Sequence, residues 1–77
     1  MTQYTLTRTL PDGTEKQHRP MRTLREVEFA AAYVLMDNSR VPRGEARRFA
    51  ASLTGRPIGE RVQHEASGYT FRVDRSV

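Results

Sequence analysis

Seventy-seven residues without a single cysteine suffice for one small domain, 1–77, that neither disulfides nor thiolate-metal sites can reinforce. The formal charge is +4, from thirteen basic and nine acidic residues, and every basic residue except Lys16 is an arginine. The longest apolar run, FAAAYVLM at 29–36, falls well short of the roughly twenty residues that cross a bilayer. The first ten residues lack the basic-then-apolar layout of a signal peptide, so the expectation is a cytoplasmic protein with no membrane partner.

Residues 2–10 alternate. Thr5, Thr7 and Thr9 point one way, and Tyr4, Leu6 and Leu10 the other with Arg8 among them, which is the period of a half-buried strand. Pro11-Asp12-Gly13 predicts a tight turn, because proline presets φ and glycine accepts a positive one. The stretch TEKQHR at 14–19 has no apolar residue and reads as a solvated edge strand or a loop, closed by Pro20. His18, within it, reads as a solvated side chain.

Thr23-Leu24-Arg25-Glu26 fits a capping box, with the Thr23 hydroxyl accepting from Glu26 N–H and the Glu26 carboxylate reaching back to Thr23 N–H. A helix over 24–37 follows, with Asn38-Ser39 as its exit. At 100° per residue it has two apolar sides. Leu24, Val27, Ala31, Val34 and Leu35 share one face, while Phe29, Tyr33 and Met36 fall nearly opposite. Such a helix is either buried twice, by a sheet and by the next helix, or keeps one side for a partner.

A second helix is expected over 43–54, with Pro42 at its start and Gly55 where a left-handed C-terminal residue belongs. Ala46, Phe49, Ala50 and Leu53 make its core stripe, Arg43 and Arg47 flank it, and Arg48 lies on the far side. GRPIGER at 55–61 is a loop. The runs VQHE, 62–65, and YTFRV, 69–73, around Ala66-Ser67-Gly68 give a hairpin pairing His64 with Tyr69 and Val62 with Phe71. Tyr69, Phe71 and Val73 then face the core, and residues 75–77 are expected to fray. The order β(β)ααββ is an α+β fold: a small antiparallel sheet with strands 1 and 4 central and two helices packed on one face.

Little in the chain points to catalysis. Glu26 and Glu28 diverge on their helix, the serines lack both a nucleophile-elbow context and an apparent His–Asp partner, and so small a domain leaves little volume for a cleft. His64 reads as a packed, hydrogen-bonded residue at the core edge, and no further ligands stand at metal spacing. GRPIG lacks the ending of a phosphate-binding loop. No enzyme, metal, cofactor or small-molecule substrate is therefore expected.

Two surfaces remain. Residues 40–61 carry +4, as much as the whole chain, and Arg40, Arg43, Arg47, Arg48, Arg56 and Arg61 offer a sequence-indifferent nucleic-acid contact of about four phosphates. A GC-rich genome accounts for the same arginines, and the glycines and proline of 55–61 deny the recognition helix that a winged helix requires. The other surface is Phe29, Tyr33 and Met36. Aromatic, methionine and arginine side chains are the chemistry of interface cores, so the leading expectation is a non-catalytic interaction or regulatory module that docks on a protein or on its own copy. Composition alone associates it with an accessory protein of a GC-rich bacterium or phage.

Overall fold

The structure, a computed structural model, describes residues 2–76. It contains β1 (Gln3–Thr9), β2 (Glu15–Gln17), α1 (Leu24–Ser39), α2 (Arg43–Thr54), β3 (Arg61–His64) and β4 (Tyr69–Ser76). The four strands form one antiparallel sheet in the order β2-β1-β4-β3, so the two strands richest in apolar residues are central. This is the expected α+β architecture.

Alternation along β1 and β4 gives the sheet two different faces. Leu6, Tyr69, Phe71 and Val73 are buried with Val27, Ala31, Val34 and Leu35 of α1 and with Ala46, Ala50 and Leu53 of α2. The opposite face is polar throughout. Thr7 stands there between Gln17 and Arg72 in register, buried to 6 % exposure, and its hydroxyl has no hydrogen-bond partner. The hairpin register is the expected one, with His64 opposite Tyr69 and Val62 opposite Phe71. TEKQHR does form a strand, three residues long and fully exposed at the sheet edge.

Several boundaries differ from expectation. Glu26 N–H donates to the Thr23 hydroxyl at 3.1 Å as expected, but the Glu26 carboxylate accepts from Arg22 N–H at 3.1 Å, not from Thr23. The first helix runs on through Asn38 and Ser39, because both tolerate helical dihedrals, and stops at Arg40, which adopts φ 54°. The Leu35 carbonyl accepts from the backbone N–H of Arg40 and of Val41, whose buried side chain turns the chain inward. The second helix ends without a left-handed residue: Gly55 sits at φ −87° and its N–H donates to Ser52 in a tightened last turn. The expected frayed tail is also corrected. Arg75 and Ser76 pair with Tyr4 and Gln3 at the end of β4, and Val77 lies outside the described residues.

Candidate docking surface

Helix α1 is buried along Val27, Ala31, Ala32, Val34 and Leu35, which face the sheet and α2. Its remaining side is open. Phe29 is 54 % exposed and Tyr33 65 %, one turn apart, while Met36 is half-buried against the core. The Arg25 guanidinium lies 5.8 Å from the centre of the Phe29 ring, within cation–π range. On the α2 flank of these rings, Ala32, Met36, Arg43 and Arg47 complete a groove of about 270 Å³. The structure thus gathers Phe29, Tyr33 and Met36 into one surface and adds two of the six arginines to it.

The other four arginines are dispersed. Arg40 caps α1 and Arg48 is exposed on α2. Arg56 is paired with Glu60 at 2.9 Å. Arg61 stands in register with Arg72 on the polar face of the sheet, away from both helices, and approaches Glu15 at 3.6 Å. The tract that is continuous in sequence is therefore divided between two sides of the molecule.

His64 is packed as expected, at 7 % exposure, with its ring edge-on to Phe49 at a centroid distance of 5.0 Å. Its partners were not visible in the sequence. Nε2 lies 2.9 Å from Glu45 Oε2 and Nδ1 2.9 Å from Ser67 Oγ. Since a carboxylate only accepts, Nε2 donates in this pair, and the Ser67 backbone N–H donates to Nδ1 at 3.3 Å. A serine thus does meet a histidine and an acid, contrary to the sequence reading. Ser67 Oγ also accepts from Tyr69 N–H at 3.2 Å and contacts the His64 carbonyl, so the hydroxyl is engaged on several sides within the hairpin turn. The arrangement ties the β3–β4 turn to the first turn of α2.

A second feature escaped the sequence. On the sheet flank of Phe29 and Tyr33 lies a cleft of about 590 Å³, bounded also by Arg8, His18, Val34 and Asp37. His18 is not solvated, as expected from its polar neighbours, but half-buried against this cleft. Burial, with a smaller contribution from Arg8, lowers its pKa from the usual 6.5. His18 Nε2 and Arg8 Nε are both sealed from solvent without a hydrogen-bond partner.

Among the described residues, no group of three or more His, Asp or Glu side chains could hold a metal ion, and no helix is long and apolar enough to cross a membrane. No protein-family model matches the chain, and no curated protein or solved structure proved similar to it.

Proposed function

We propose that this chain is a non-catalytic interaction module that docks on a protein surface, its own second copy included, through Phe29, Tyr33 and Met36 with Arg43 and Arg47 at the rim. The observation that carries this reading is the exposure of two consecutive-turn aromatics on a helix whose other side is fully buried. Local stability of α1 does not require aromatic residues at those positions, since alanine is the better helix former. Large rigid rings beside a flexible methionine and forked guanidinium groups are, by contrast, the side chains from which interface centres are built. We further propose a cytoplasmic, regulatory role for such a module.

The test is a comparison of baits. Wild-type protein and the Phe29→Ser and Tyr33→Ser variants are immobilised at equal folded amounts and exposed to native-cell lysate supplemented with a tagged second copy. The expected result is a discrete protein, or the tagged copy, that wild type retains and both variants release. Equal retention by all three baits would overturn the reading. Fluorescence anisotropy with a labelled DNA duplex runs in parallel at about 50 and 200 mM salt. Tight duplex binding that is insensitive to both substitutions would instead favour the exposed arginines as the functional surface.

A further inference from the structure

The cleft between α1 and the β1–β2 edge has features that the docking surface does not use. Its volume, about 590 Å³, lies within the range of small-molecule sites. Its two sides differ in chemistry. One is aromatic, from Phe29 and Tyr33, and the other basic, from Arg8 and His18. Nearly all buried polar groups in folded proteins have a hydrogen-bond partner. The unpartnered Arg8 Nε and His18 Nε2 are sealed from the cleft itself, so a ligand there meets the rest of the guanidinium and the imidazole, and among the described residues no carboxylate lies within 4.0 Å of Arg8. An arginine facing a cleft without an ion pair presents a planar fork that matches a carboxylate. Asp37, also on the cleft, offsets one positive charge and so disfavours a dianion such as a phosphate monoester.

We propose that this cleft binds a small monocarboxylic acid with an apolar or aromatic body, its head accepting hydrogen bonds from the terminal guanidinium nitrogens of Arg8 beside His18 and its body lying along Phe29 and Tyr33. The site shares Phe29 and Tyr33 with the docking groove, which occupies the other flank of the same two rings, and adds Arg8 and His18, which the groove lacks. The titratable groups facing His18 are Arg8 from β1 and Tyr33 and Asp37 from α1. A bound carboxylate adds a negative charge to this set and raises the pKa of His18.

The probe is 3-phenylpropionate, with 3-phenylpropanamide as its uncharged counterpart, titrated into the whole chain and followed by backbone and imidazole NMR shifts. The acid is expected to give saturable shifts confined to β1, His18 and residues 29–37, with a dissociation constant of about 1 mM. The amide binds at least roughly tenfold more weakly and leaves the His18 titration in place. Arg8→Gln abolishes binding of the acid, and Asp37→Asn tightens it about threefold by removing a like charge. Should Arg8→Gln fail to fold, the acid–amide ratio on the wild-type protein decides the matter alone. Equal affinities for acid and amide, shifts that do not saturate, or shifts centred outside the cleft would overturn the proposal. None of these outcomes bears on the bait comparison, which contains neither probe.

Discussion

Thr7 is the residue whose environment suits it least. Its hydroxyl is sealed and unpartnered beneath its strand neighbours, yet its shape is that of valine. Leaving a buried hydroxyl unsatisfied costs about 1–3 kcal/mol, so Thr7→Val is expected to raise unfolding free energy by about 1 kcal/mol in urea titrations. A loss of stability would show that the hydroxyl is satisfied after all. His18 makes a pH prediction at the same scale. Because burial and Arg8 lower its folded pKa below 6.5, the unfolded chain binds the proton first. The associated stability is present above pH 6.5 and is lost as pH falls through the lowered folded value. Asp12, lowered from 3.8 chiefly by the hydrogen bond from Thr14 N–H, acts in the same direction in stronger acid. Urea midpoints should therefore fall between pH 7.5 and 5.5, and His18→Gln should flatten that segment of the curve. An unchanged slope in the variant would assign the effect to another group.

At the scale of elements, the two ends of α1 make opposite predictions. Removing the Thr23 hydroxyl with Thr23→Ala frees the Glu26 N–H and should cost about 1 kcal/mol. Arg40 holds a left-handed conformation that a Cβ disfavours by about 1–2 kcal/mol, so Arg40→Gly should stabilise the fold by about 1 kcal/mol. Thermal or urea unfolding of both variants checks the pair, and destabilisation by Arg40→Gly would mean that its side chain contributes more than its backbone costs. These ends also show where sequence reading succeeds. The cap at Thr23, both helical stripes, the turn at Gly13 and the hairpin register depend on neighbours a few residues apart, and all were legible. The left-handed residue expected at Gly55 after α2 does not occur there, whereas α1 ends on one at Arg40, where the burial of Val41 turns the chain, and burial is a tertiary property. The His64–Glu45 pair joins residues 19 apart in sequence. The Arg8–His18 cleft needs β2 and α1 placed together, and no local pattern announces either arrangement.

At the scale of the whole molecule, one sheet face supports two helices, and α1 carries more apolar surface than that sheet and α2 can cover. Phe29, Tyr33 and Met36 were recognisable in sequence as a second stripe; that the first two stand open follows only from α2 lying to one side of them. Leu35, fully buried on the opposite side, sets the scale for comparison, since Leu35→Ala should cost about 3 kcal/mol. Urea unfolding of the dilute single chain tests the central claim most directly. Phe29→Ser and Tyr33→Ser should each change stability by less than about 1 kcal/mol, as surface substitutions do. If each instead costs several kcal/mol, as Leu35→Ala should, the outer stripe is interior packing and there is no free face to dock.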